Sequence, residues 1–503
     1  MIDEVVVVGF GTQKKVSITG SISQISTDNV LKVSTPNIAN AISGKMPGII
    51  TRQSSGEPGY DAAQVYIRGL ASLTNNSPLV LIDGVERDMN LINAQEIESF
   101  TVLKDASATA VYGARGANGV IIITTKRGRE EKPIVTLRTE VASLHALRLP
   151  NYINSEKYAL LMNEALTLNG QKARWSDEEI EKYRDGSDQF LYPNSNWTDA
   201  VLKKDTWQTI NNLSITGGSK LIRYYLNVGY TLQDGLYKED TNNKYSTNAK
   251  ISRYNFRSNT DVSLTDNFTL QLGIGGIIQK GNYPGFGAGD IFNALKIISP
   301  IAYPILNPDG SLGGAQSYIG WNPYGRVTQS GYSTQDRVTL QGSFGLNWDL
   351  DFITKGLSTR VLFSYDRYTR NDNNRPKEFG VKRYMGKDPE TGEDIYSPWF
   401  REEKPLAYNE GSEANSAMYL ETQINYSRLF REIHDISAML LHNQREYYNL
   451  TAGSSRMNIP YRRQGYEGRL TYALLGRYLA EINFGYNGSE NFPPGKRFGF
   501  FPS

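Results

Sequence analysis

The chain has 503 residues, modest apolar content (39%), an unusual number of tyrosines (32) and a net charge of only +2. That balance gives no electrostatic case for nucleic-acid binding. The absence of Cys removes disulfides, thiolate chemistry and Cys-based zinc sites, and no run approaches the roughly 18 apolar residues of a membrane-spanning helix.

The opening Asp3-Glu4-Val5-Val6-Val7-Val8-Gly9 is an extended β-branched segment with an acidic lead. It suits either an ordinary edge strand or a strand that adds to another protein's sheet. Short elements follow: extended chain over 21–26, a short helix over Ile38–Ile42 stopped by Gly44 and Pro47-Gly48, then strands over 49–52, 64–69 and 78–84. The last of these runs into an Asp83-Gly84 turn. Ile97–Leu103 reads as a strand, and Asp105 as the N-cap of an Ala-rich turn ending at Tyr112, with Gly113 as a C-cap glycine. Gly119–Thr125 is a continuous apolar run, the signature of a strand covered on both faces. Residues 1 to about 128 thus form an α+β unit of short elements.

From Pro133 the pattern alternates at period two. In 223–232, Tyr224, Leu226, Val228, Tyr230 and Leu232 face one way, and Arg223, Tyr225, Asn227, Gly229 and Thr231 the other. The segments 339–350 and 478–487 alternate likewise. Strands are expected near 133–147, 207–216, 221–233, 251–264, 268–280, 336–352, 357–370, 414–430, 436–449, 466–474 and 478–488. Their connectors alternate long and short, which places tight turns on one side and long loops on the other. That is the layout of an outer-membrane β-barrel, whose backbone must be fully paired in lipid. The first long connector carries an amphipathic helix from Ser155 and a capping-box start at Ser176. The loop 281–335 holds Tyr283, Phe286, Trp321 and Tyr324, aromatics that either stack on sugar rings or pack the loop on itself. The chain ends entering a further strand at Phe498–Ser503, so the sequence reads as a fragment.

No catalytic set emerges, and the three His (His145, His434, His442) lack metal-ligand spacing. The run Gly113-x-x-Gly116-x-x-Gly119 follows a helix instead of opening one, so it is no phosphate cradle. No enzyme, metal or cofactor is expected.

Several segments together closely resemble the SusC/RagA-type TonB-dependent outer-membrane transporters. Asp3–Gln13 looks like the family's TonB-box segment. Ile38–Gly48, Ile67-Arg68-Gly69, Pro78–Val85 and Val102–Val120 resemble its plug motifs, carrying Arg68, Gly69, Asp83, Gly84, Lys104, Asp105, Tyr112, Gly113, Arg115 and Gly116. Arg497–Ser503 is similar to a segment inside the family's barrel. The resemblance implies a TonB-box segment (1–12), an α+β plug domain (13–130) and part of an antiparallel transmembrane β-barrel (131–503), about half of the family's roughly 22 strands. The signal sequence, a small β-sandwich ahead of the TonB box and the later strands would then lie outside this chain. It further implies active import of a large nutrient, most often an oligosaccharide and sometimes a peptide. The partners would be TonB with ExbB-ExbD in the inner membrane, a SusD-like surface lipoprotein and the outer-membrane lipid. Sensing of a ligand without import, or a non-functional fragment, is the alternative. Arg68, Asp83, Lys104, Asp105 and Arg115 are candidates for plug–barrel ion pairs, with turn and cap roles the simpler reading of Asp83 and Asp105. Trp321 and Tyr324 are the candidate ligand aromatics.

Overall fold

The computed structural model describes residues 5–8, 11–14, 22–70, 72, 73 and 75–503. At its start, β1 (Val5–Val8) pairs antiparallel with β2 (Gly11–Lys14), Val8 opposite Gly11. Of the expected TonB-box residues, Val5, Val6, Val7 and Val8 are extended, while Asp3, Glu4 and Gly9 lie outside the described residues.

The first unit is built from β3 (Ile22–Ser26), α1 (Thr27–Val30), α2 (Ile38–Ala41), β4 (Ile49–Arg52), β5 (Gln64–Ile67), β6 (Leu79–Ile82), β7 (Val85–Glu86), β8 (Ile97–Leu103), α3 (Ala106–Thr109) and β9 (Val120–Thr125). Its main sheet has the order β3-β8-β9-β6-β7, with β6 and β9 parallel and the other pairs antiparallel. β4 and β5 form a separate hairpin. The apolar run in β9 is buried on both faces, as its composition demands. Ile121 and Ile123 join Phe100, Val102, Ile82 and Ile38 in one core, while Val120 and Ile122 join Leu79, Leu81 and Leu103 in another. The β6–β7 turn has positive φ at both Asp83 (53°) and Gly84 (89°), the geometry of a two-residue turn matched to strand twist.

Around this unit stands one 12-stranded antiparallel sheet. Its strands are β10 (Ile134–His145), β11 (Asp205–Gly218), β12 (Ile222–Asp234), β13 (Lys250–Thr265), β14 (Phe268–Pro284), β15 (Gly331–Asp349) and β16 (Leu357–Pro376). After a small loop hairpin, β17 (Tyr384–Lys387) with β18 (Asp394–Tyr396), the sheet continues with β19 (Asn409–Phe430), β20 (His434–Asn449), β21 (Tyr461–Leu474), β22 (Tyr478–Ser489) and β23 (Phe498–Pro502). Each strand of the sheet pairs with its predecessor, and β10 and β23 are the two edges. Connectors sort by side as expected. Short turns such as 266–267 and 475–477 alternate with long loops such as 146–204 and 285–330.

Several strands run further toward the long loops than the alternation predicted. β16 continues through Asn371-Asp372-Asn373-Asn374, paired to β15 and β19. Past the bilayer neither face needs to be apolar, so the lipid signature stops while the hydrogen-bonded ladder does not. The first long loop carries α4 (Ser155–Leu168), α5 (Asp177–Asp185) and α6 (Trp197–Val201), with the capping box between Ser176 and Glu179 formed. The loop 285–330 carries α7 (Ala288–Ile297) and α8 (Pro323–Thr328).

The wall is inside-out relative to a soluble sheet. Val228 is 62% exposed on the outer face while its neighbour Asn227 is 1% exposed on the inner one. Leu340, Ile482 and Tyr486 face outward, whereas Thr339, Gln341 and Asn483 are buried. Near the short turns Phe268, Trp348 and Phe352 cluster, with ring centroids 6.0 Å apart for each successive pair, as in the aromatic girdle of a membrane barrel.

Candidate functional site

Burying a polar inner wall against the first unit is tolerable only if its polar groups find partners. The structure meets this with a seam of charged and amide contacts. A short turn at Ala94–Glu96, capped by Asn93 Oδ1 accepting from Gln95 N (2.9 Å), aims Glu96 at the wall. Its carboxylate accepts from Asn227 Nδ2 (3.1 Å), Asn255 Nδ2 (2.9 Å) and Arg257 Nε (2.6 Å). Both charged side chains are nearly inaccessible, at 2% and 4%. Asn93 Nδ2 donates to Asn212 Oδ1 (2.8 Å) and Asn255 Oδ1 (3.2 Å). A side chain at Gly229 would collide with both Asn212 and Asn255, so glycine there keeps the amide row open.

Further contacts tie the seam at other heights. Arg87 forms a two-pronged pair with Asp366 (2.8 Å for each prong) and donates to Ser364 Oγ (3.0 Å). Arg127 Nη1 meets Asp261 Oδ1 at 2.6 Å, and Asn259 Nδ2 donates to Thr125 Oγ1 and Lys126 O at 2.7 Å each. Arg253 donates to the Asn90 carbonyl (2.8 Å), and Gln208 to the Ser34 carbonyl (3.2 Å). Toward the long loops, Arg337 lies 4.7 Å from the Tyr60 ring centroid and Gln335 Nε2 donates to Tyr60 OH (3.0 Å). Burial pushes the Glu57 carboxyl up, opposed by its hydrogen bond from Tyr237, and burial likewise raises Asp61 against bonds from Gln233 and Asn37.

The charged residues singled out from the sequence mostly lie elsewhere. Arg68, with φ of 60° ahead of Gly69 at 101°, pairs with Asp105 inside the first unit. Asp105 has the N-cap backbone conformation but makes no capping hydrogen bond; its carboxylate turns to Arg68 instead. Lys104 donates to Ser23 Oγ and the Pro47 carbonyl. Asp83 accepts from Thr125 N (2.9 Å) and Thr125 Oγ1 (2.7 Å), which is a turn role. These four therefore brace the first unit itself. Arg115 alone reaches a seam cluster, through Glu86, which also faces Arg445 and Arg463 of the wall.

Gly113 is not a helix C-cap. Its φ and ψ are 56° and −144°, outside the left-handed helical region that a cap requires. A side chain there would collide with Asn487 of β22, so the glycine marks close approach to the wall. Tyr112 and Gly116 are buried in the same turn. Burial raises the Tyr112 phenol, with Arg469 opposing and Glu421 and Glu467 adding to it. Trp321 and Tyr324 both pack against protein side chains. The Arg326 guanidinium lies 4.2 Å from the Trp321 ring centroid, while Tyr324 packs on the Phe379 cluster.

Sequence reasoning missed Arg87, Asn93, Glu96 and Arg127. A usable signal lay in the wall: Arg253, Asn255, Arg257, Asn259 and Asp261 occupy successive inner-face positions of β13, and so many costly polar groups require partners across the seam.

A plug-like α+β unit riveted to the inner face of an outer-membrane β-barrel wall defines the class. Residues 14–120 match the TonB-dependent Receptor Plug Domain. TonB-dependent receptor P26 of Formosa agariphila is 28% identical over the whole of this chain and 50% of its own length. TonB-dependent receptor SusC of Bacteroides thetaiotaomicron is 28% identical with the same two coverages, 100% and 50%. The RagAB peptide importer in its open-open state has the same fold over 99% of this chain and 58% of its own, with a TM-score of 0.75 at 20% identity. The chain thus carries the plug domain of the TonB-dependent receptors and is similar along its whole length to SusC/RagA-type members. It spans about half the length of the curated relatives it matches (50% for both P26 and SusC).

Proposed function

We propose that the receptor containing this chain imports a bulky nutrient across the outer membrane, driven by TonB with ExbB-ExbD and capped on the long-loop side by a SusD-like surface lipoprotein. The observation that carries this is the seam. A plug (13–130) fixed to the wall (131–503) by buried pairs such as Glu96–Arg257 blocks diffusion, so passage requires work on the plug. The TonB-box segment (1–12) offers the handle. β1 is paired with β2 along one edge and has no strand partner on the other among the described residues, which suits strand addition by TonB. An oligosaccharide is the favoured cargo, and a peptide, as RagAB imports, is the competing class. Deleting Asp3–Gly9 from the full-length receptor is expected to abolish uptake while leaving ligand binding at the cell surface intact. Unchanged uptake would refute the import reading.

A further inference from the structure

A cavity of about 930 Å³ lies between the plug and the wall, at the upper end of ordinary ligand sites. On the plug side it is lined by β5, the 75–80 segment, β7 and the turn carrying Arg115 and Asn118; on the wall side by Arg445 and Arg463. Arg445 sits in the last third of β20, which ends at Asn449 in the loop 450–460, and Arg463 is near the start of β21 after that loop. The cavity therefore belongs to the long-loop side of the plug, where a ligand arriving from outside meets it first.

Its charges do not balance. Arg115, Arg445 and Arg463 converge on one carboxylate, Glu86: Arg115 touches Oε1, Arg445 Nε stands 3.2 Å from Oε2, and Arg463 Nη1 3.8 Å from it. Arg87, a fourth arginine of the lining, is already matched by Asp366. Asp88 also lines the cavity, its carboxylate accepting from Asn90 N (2.9 Å) in the adjoining turn. Setting Glu86 and Asp88 against Arg115, Arg445 and Arg463 leaves one positive charge in surplus among the lining residues of this chain. Burial raises the Glu86 carboxyl, but the surrounding arginines outweigh it and hold it below the ordinary value. Planar guanidinium forks clustered in a recess are suited to carboxylate or sulfate groups.

The rest of the lining favours a sugar over a peptide as the carrier of that charge. Gln64, Tyr66, Asn75, Asn76 and Asn118 make the lining polar, with Tyr66 OH donating to Gln64 Oε1 (2.8 Å) and Asn118 Nδ2 to the Asn75 carbonyl (3.0 Å). Among the described residues of the lining, the apolar side chains Val65, Leu79 and Met89 are buried in the plug, while Pro78 and Val80 are half-buried.

We propose that this cavity binds an anionic oligosaccharide, one bearing carboxylate or sulfate groups, through Arg115, Arg445 and Arg463. This names the substrate class of the import reading and rests on it only for the cavity lying on the route of uptake. The test measures binding of the full-length receptor in detergent to four probes of matched length: a uronate oligosaccharide, a sulfated oligosaccharide, a neutral oligosaccharide and an acidic peptide. An anionic glycan is expected to bind at least about tenfold tighter than the neutral one at low salt, with the advantage shrinking as salt rises. The double variant Arg445→Gln, Arg463→Gln should erase that advantage, bringing anionic binding down to the level of neutral binding. Glu86→Gln should act in the opposite direction and tighten anionic binding several-fold, an outcome that misfolding does not imitate. Neutral glycan binding as tight as anionic, indifference of anionic binding to both variants, or a preference for the acidic peptide would each overturn the proposal. Loss of uptake is not the readout, so binding that persists in a receptor unable to import would defeat only the import reading.

Discussion

The plug and the wall solve opposite problems with the same secondary structure. In the plug, β9 is apolar on both faces because protein covers both, and its Ile121 and Ile122 enter different cores. In the wall, apolar side chains such as Val228 point outward and polar ones such as Asn227 point inward. The difference teaches where stability and release can be separated. A plug interior held by apolar packing has no discrete latch, whereas a seam of paired charges can be broken contact by contact.

The largest effects should come from single cuts on either side of that contrast. Glu96→Ala leaves Arg257 buried without its counter-charge and is expected to cost about 3–5 kcal/mol. Phe100→Ala, a cavity in the plug core, is expected to cost a similar amount, about 3–5 kcal/mol. Both are read by denaturant unfolding of the receptor in detergent. The two should differ in rescue: adding Arg257→Met to Glu96→Leu restores much of the loss, since an apolar pair replaces a desolvated one. Failure of that rescue would erase the distinction between seam and core. Next in size, Val228→Lys on the outer face should cost about 2–4 kcal/mol in a lipid bilayer. In a water-exposed sheet the same change would be nearly neutral, so a negligible cost would break the membrane assignment of the wall.

The smallest effect is a slope. Burial raises the Asp61 carboxyl above its ordinary 3.8, opposed by Gln233 and Asn37. Its contribution to stability is therefore full below that ordinary value and lost as pH climbs through the raised one. Asp61→Asn should remove this loss, so that the variant gains on the parent as pH increases. A difference that stays flat with pH would mean that the pocket around Asp61 leaves its carboxyl unperturbed.

Much of the fold was legible. Period-two alternation marked strands near 221–233 and 268–280, found at Ile222–Asp234 and Phe268–Pro284, because lipid on one face and protein on the other impose a strict pattern. The Asp83-Gly84 turn and the Ser176 capping box were readable because both are settled within a few residues. The extension of β16 through Asn374 was not, since outside the bilayer a strand's side chains are free to be polar on both faces. The β17–β18 hairpin was missed because its strands are short and its residues carry no alternation long enough to detect.

The sequence by itself determined the two kinds of sheet, the sorting of turns from loops and the plug motifs, all of which are local patterns repeated along the chain. Only the tertiary structure decided which polar groups meet. Glu96 and Arg257 lie 161 residues apart and are joined because one short turn and one strand register aim them at the same point. Arg68 and Asp105 had the composition of seam residues yet turned to each other. A charge in the chain announces that it needs a partner, but the choice of partner is made by which faces the folded sheets bring within a few ångströms.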